Sequence, residues 1–177
     1  PDERGLDRRR PSTGSDVLPD AETLYRGADI GSGEVTRYWR LDDACQTLVL
    51  SSEDNRCPEV IYWGAVLPER EDLAALNAVQ RLDVTGGMLD ANPDLSLCPE
   101  ASRSFPGQPG MVLYRMGGTS ILPELRLYDV EQSASGVLVI CKDKTNGLTY
   151  TARIDLDPLT HVLVLQSHLA SEHPLQM

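Results

Sequence analysis

GVLVICKDKTNGLTYTARIDLDPLTHVLVLQSH, residues 136–168, is the stretch that decides the fold. It breaks into three runs parted by two turns. GVLVIC, residues 136–141, is a nearly continuous apolar run, fit for a strand buried on both faces. Asp143-Lys144-Thr145-Asn146-Gly147 follows, with Asn-Gly supplying the φ > 0 positions of a tight turn. LTYTARIDL, residues 148–156, alternates apolar and polar side chains, the period of a half-buried strand. Asp157-Pro158 makes the next turn, and VLVLQSH, residues 162–168, is the last predicted strand.

The same pattern extends upstream. Order begins at Tyr38-Trp39-Arg40-Leu41, and Asp42-Asp43 read as a turn after a strand. QTLVL (46–50) and EVIYW (59–63) flank the polar SSEDNR and predict a hairpin or meander. MVLYR (111–115) leads through Gly117-Gly118. ELRLYDV (124–130) alternates, with Leu125, Leu127 and Asp129 on one side and Arg126, Tyr128 and Val130 on the other. Glu71 to Leu82 differs: Leu73, Leu76, Val79 and Leu82 recur every three residues among strong helix formers. Pro68 and the acids Glu69, Glu71 and Asp72 suit a helix start. Many short strands, frequent turns and a single helix predict an all-β, antiparallel sandwich over residues 37–177, with one short helix crossing its edge. Residues 1–36, rich in Pro, Gly, Ser, Asp and Arg, read as a disordered or foreign extension. The chain opens on Pro1 and stops after Met177, and it reads as a fragment.

Charge narrows the partners. The net charge of −11 has the wrong sign for displacing counterions from phosphates, so nucleic acid and anionic membrane are not expected partners. No apolar run approaches the length of a membrane span. Without a signal-peptide pattern in PDERGLDRRRPSTGSD, a cytoplasmic location is expected. Cys45, Cys57, Cys98 and Cys141 then read as reduced, mostly buried residues, since none forms a C-x-x-C pair. Aromatics make up only 5% of the chain, so the core must rest on Leu, Val and Ile.

Chemistry is sparse. G-x-S-x-G and P-loop motifs are not found, and Gly31-Ser32-Gly33 lacks the strand context of a dinucleotide fingerprint. His161, His168 and His173 are spaced so that no two share a face of one element, and they read as surface residues. Ser167 and His168 are neighbours on a predicted strand and point to opposite faces, which argues against a dyad. Tyr38, Trp39, Tyr62 and Trp63 are the tight aromatic clusters, and core packing is their expected role. No metal site and no cofactor are expected.

Three segments carry a family resemblance. YWRLDD…QTLVLSS…CPEVIYWGAVLP (38–68), GGMLD…LSLCPEASRSFPGQPGM (86–111) and GLTYTARIDLDPLTHVLVLQSHL (147–169) resemble, in order, the amino-terminal part of family 36 glycoside hydrolases. The resemblance implies a β-supersandwich that precedes a (β/α)8 barrel in retaining α-galactosidases. Both catalytic aspartates lie in that barrel, so this chain has no counterpart of them and is expected to be inactive alone. Implied partners are the catalytic barrel of the same polypeptide, α-galactoside sugars, and a second copy in a homo-oligomer. A loop of the sandwich can reach a neighbouring pocket in oligomeric members. The matching stretch here, residues 86–110, makes Asp90, Glu100, Phe105, Gly107 and Gln108 the candidate pocket residues. Where many relatives have a Gly-Asp-Phe-Arg-like stretch, this chain has Phe105-Pro106-Gly107-Gln108-Pro109-Gly110. The alternatives are a stand-alone carbohydrate-binding sandwich and a protein-interaction sandwich.

Overall fold

The computed structural model describes residues 35–80, 95–103 and 107–177. Most of the extension expected at 1–36 lies outside them. The chain is all-β and antiparallel, as its periodicity predicts, with one α-helix among the described residues.

Strands β1 (Arg37–Asp42), β2 (Thr47–Ser52) and β3 (Glu59–Gly64) form the first sheet in that order. Trp39 pairs with Leu50 and Leu41 with Leu48, so these four side chains share one face. The second sheet has the order β6 (Arg126–Gln132), β7 (Gly136–Asp143), β8 (Leu148–Leu156) and β9 (Leu163–Ser171). Val139 pairs with Ala152 and Val137 with Ile154, setting a second apolar face. The two faces meet in one core holding Leu41, Leu48, Leu50, Val139, Ala152 and Ile154. A small sheet of β10 (Leu175–Gln176), β4 (Leu113–Arg115) and β5 (Ser120–Ile121) adds a second cluster around Leu113, Ile121 and Leu148. Two-residue strands such as β5 and β10 are too short to show a period in sequence.

Three sequence readings are refined. The strand buried along its whole length is β2, whereas β7 alternates between buried and half-buried residues. Helix α1 packs on β3, and Asn77 reaches across to the Tyr38 hydroxyl of β1 at 3.4 Å. In β6 the pairing register shifts between Leu127 and Asp129, which interrupts the predicted alternation. Leu127 and Val130 therefore both pack on the core. The β7–β8 turn has φ > 0 at Gly147 but not at Asn146. Its anchor is the buried Asp143 carboxylate, which accepts the Thr145 N–H at 2.9 Å, the Asn146 N–H at 3.0 Å and the Asn146 side-chain amide at 2.7 Å.

Helix α1 (Leu73–Gln80) is shorter than the predicted span, and Leu82 lies outside the described residues. Asp72 caps it by accepting the N–H groups of Ala74 and Ala75 at 3.0 and 3.1 Å. Its inward stripe is Leu73, Leu76 and Asn77; Val79 and Gln80 are exposed, the Gln80 amide donating to the Ile61 carbonyl. A three-residue repeat drifts off a 3.6-residue face: position 79 sits about 120° around the helix from position 73.

Leu50→Ala, at the centre of the shared core, is expected to cost about 2–5 kcal/mol in urea denaturation. The Asp143 carboxyl is held below its ordinary range: desolvation pushes it up, but the Asn146 amide and the N–H groups of Glu124, Asn146 and Thr145 outweigh that. Its contribution is therefore present above the unfolded carboxyl's pKa of roughly 3.9 and is lost as pH falls below it. The stability gap between wild type and Asp143→Asn should narrow on acidification through that window; a gap independent of pH would contradict the assignment.

Candidate functional site

Two turns meet at one end of the sandwich. In the β1–β2 turn, Asp43 Oδ1 accepts the N–H of Cys45 at 2.6 Å and of Gln46 at 2.8 Å. This local bonding is the usual reason for an Asp in such a turn. In the β8–β9 turn, Asp157 Oδ1 accepts the Leu159 N–H at 2.8 Å, and its carbonyl accepts the His161 N–H at 2.8 Å. The chain then passes through His161 at φ 56, a left-handed conformation uncommon for a side-chain-bearing residue.

The two turns are fastened across the gap between the sheets. His161 Nδ1 lies 3.0 Å from Asp43 Oδ2. Gln46 donates its amide to the His161 carbonyl at 2.6 Å and accepts the Trp63 indole N–H at 2.8 Å. Trp63 is 64% exposed, so of the four clustered aromatics it is not core, contrary to expectation. Its pairing with Gln46 holds the indole at the surface beside the turn. The exposed Cys45 completes the group: one donor atom each from Asp43, Cys45 and His161 lies within 4.8 Å of the other two. Desolvation raises the Asp43 carboxyl, but the Cys45 N–H, His161 and the Gln46 donors outweigh it and bring it to about 2. Asp43 is thus ionised at neutral pH, one negative donor beside an imidazole and a thiol.

This constellation was not legible in sequence. Asp43 is a turn residue as predicted, but His161 is more than a surface histidine. Its partner is 118 positions away, a separation without any spacing signature.

The other three cysteines are free and buried. Cys57 bonds with the Cys141 thiol, which draws the Cys57 pKa down and pushes that of Cys141 up. Burial pushes Cys98 up to about 12. Such thiols are inert toward bulky reagents.

Of the loop residues expected at a sugar pocket, Asp90 and Phe105 lie outside the described residues. Gly107 and Gln108 are exposed. The Glu100 side chain is only 2% exposed. Its carboxylate accepts the Leu125 N–H and pairs with Arg103 Nε at 2.9 Å. Arg103 also donates to the Leu125 carbonyl at 2.6 Å. Burial raises the Glu100 carboxyl above its ordinary pKa, against the pull of the Leu125 N–H and Arg103. Glu100 therefore fastens the loop to the start of β6. Residues 95–97 are likewise tied to β3, through Leu97 N–H to the Pro58 carbonyl at 2.8 Å and Val60 N–H to the Leu95 carbonyl at 2.9 Å. Gly110 lets the chain pass close: a Cβ there would lie 3.1 Å from Pro99 Cδ and 3.2 Å from Cys98 Sγ, a tight contact.

Two outcomes are expected. Thiol titration of the native protein with a bulky disulfide reagent should find one rapidly reacting group among the four cysteines, removed by Cys45→Ser, with the rest appearing only on unfolding. Glu100→Ala should cost about 1–3 kcal/mol in chemical denaturation, because the Leu125 N–H loses its buried acceptor.

No protein-family model, curated protein or solved structure matches this chain.

Proposed function

We propose that the chain is a non-catalytic sandwich module of a retaining α-galactosidase, docking through the outer edge of β9 onto the polypeptide that carries the catalytic carboxylates. The observation that carries docking is the character of that edge. β9 is nine residues long, ends its sheet and pairs among the described residues with β8 alone. Proteins normally protect such an edge with lysine, proline, a bulge or a covering element. The β8–β9 ladder is unbroken by any bulge. Residues 158–171 contain no Asp, Glu, Lys or Arg, although the chain is 24% charged. Val162, Val164 and Leu165 are 52, 42 and 51% exposed along this edge, and Leu159 in the preceding turn is 88% exposed. A neutral, apolar, extended edge suits a partner that adds a strand of its own, with backbone hydrogen bonds giving affinity and alternate side chains specificity.

The α-galactosidase reading is supported by the ordered resemblance of residues 38–68, 86–111 and 147–169 to family 36 glycoside hydrolases. A non-catalytic role agrees with the state of Glu100, whose carboxylate is buried and engaged within the fold. Glycosidases of this kind need two carboxyl groups that flank the scissile bond.

Purified chain is expected to release no p-nitrophenol from p-nitrophenyl α-galactoside above the buffer blank; turnover that survives rigorous purification would overturn the non-catalytic role. The coding sequence beyond Met177 tests the enzyme assignment: an in-frame barrel supports it, and a stop codon overturns it. For the edge, Val162→Lys with Val164→Lys, both on the face turned away from the core, should leave stability within about 0.5 kcal/mol, as is usual for exposed sites. The same pair should abolish the concentration-dependent association of the isolated chain in gel filtration. Wild-type chain that stays monomeric at every concentration would count against an adhesive edge.

A further inference from the structure

We propose that Asp43, Cys45 and His161 form a zinc site that ties the two sheets together at one end of the sandwich and leaves one coordination position open. The donor set is the first argument. A thiolate sulfur, an imidazole nitrogen and a carboxylate oxygen are the three ligand types that Zn²⁺ takes, whereas Mg²⁺ and Ca²⁺ select oxygen.

Geometry is the second. Two ligand atoms on bonds of about 2.0–2.1 Å lie roughly 3.3 Å apart in a tetrahedral site. Asp43 Oδ2 and His161 Nδ1 are 3.0 Å apart, and one donor from each of the three residues falls within 4.8 Å of the others.

The third argument is how the donors are held. Asp43 Oδ1 is committed to the turn's own N–H groups, while Oδ2 faces His161 Nδ1 at 3.0 Å and the Gln46 amide at 3.4 Å. Gln46 grips the His161 carbonyl at 2.6 Å, and Trp63 fixes Gln46 in turn. Partners that orient metal ligands in this way contribute substantially to affinity. The left-handed backbone at His161 is part of the same arrangement, since it turns the imidazole back toward the β1–β2 turn.

Access is the fourth. Cys45 is exposed and the His161 side chain is 38% exposed, so an ion can enter and water can complete its coordination. Three protein ligands with an open fourth position is the arrangement of zinc sites that exchange a ligand. Because Asp43 and Cys45 follow β1 and His161 precedes β9, the ion would link one sheet to the other.

The site stands on these residues alone and does not depend on the α-galactosidase reading. The test is titration of the metal-free purified chain with zinc, followed by calorimetry, and with cobalt, followed by absorption. One equivalent of zinc is expected to bind. Cobalt should produce a sulfur-to-metal charge-transfer band in the near ultraviolet. Cys45→Ser should remove that band and weaken zinc binding at least about tenfold, and His161→Asn, which tolerates the left-handed backbone, should weaken it similarly. Gln46→Leu, which removes no ligand, should weaken binding about 10–100-fold while the cobalt band persists. Circular dichroism of each variant separates lost ligation from lost folding. Failure to bind zinc at millimolar concentration overturns the proposal. So does full binding by a folded Cys45→Ser variant, which would place the metal elsewhere, for example on the buried thiols.

Discussion

The face that Leu48 and Leu50 share with Val139, Ala152 and Ile154 is the constraint on which the rest depends. A chain with a single Phe cannot fill a sandwich with rings, so its core is built from branched aliphatic side chains interdigitating between two sheets. Each such side chain gains roughly 1.5–3 kcal/mol on burial, and the gain needs both sheets present. β2 is the extreme case: every one of its residues is buried, as the central strand of its sheet with the core on one face. Register follows from this packing, since a slip of one residue would turn Leu48 and Leu50 out of the core.

That shared core also places the candidate site. Face-to-face packing brings the β1–β2 turn beside the β8–β9 turn, although Asp43 and His161 are far apart along the chain. Neither turn is long. Each is set by an aspartate that accepts its own downstream N–H groups, Asp43 in one and Asp157 in the other. Two short, internally bonded turns give the donors little freedom, which is the condition for a preorganised ligand set. The zinc site and the docking edge are therefore neighbours: His161 stands two residues before β9 begins, so an ion there would brace the start of the strand assigned to docking.

The long irregular segment has a clearer physical role where it is described. Glu100 and Arg103 clamp it to Leu125, and Gly110 lets it pass close to Pro99 and Cys98. These contacts rest on a buried carboxylate paired with a partly exposed arginine, both joined to backbone groups, the kind of arrangement that fixes a loop's path. They also show why residue type alone could not separate a pocket acid from an anchoring one: Glu100 is polar, lies in a loop and is nonetheless inside the protein.

The sequence by itself determined the class of fold and the positions of most strands. Alternation in residues 148–156 is a local consequence of a two-residue period, and the apolar run at 136–141 marks a strand by its composition, both readable without knowing any partner. The helix start near Pro68 and its acids and the turn after β7 are local in the same sense, though the structure makes Asp72 the cap and Asp143 rather than Asn146 the anchor of the turn. Only the tertiary structure decided what depends on a partner across the sandwich. The bulge in β6 brings Val130 onto the core, Asn77 rather than Val79 faces inward, and Trp63 stays outside. The meeting of Asp43, Cys45 and His161 belongs to the same group. Periodicity records which way a side chain points from its own strand. What it meets there is fixed by how two sheets pack, and no window of neighbouring residues contains that information.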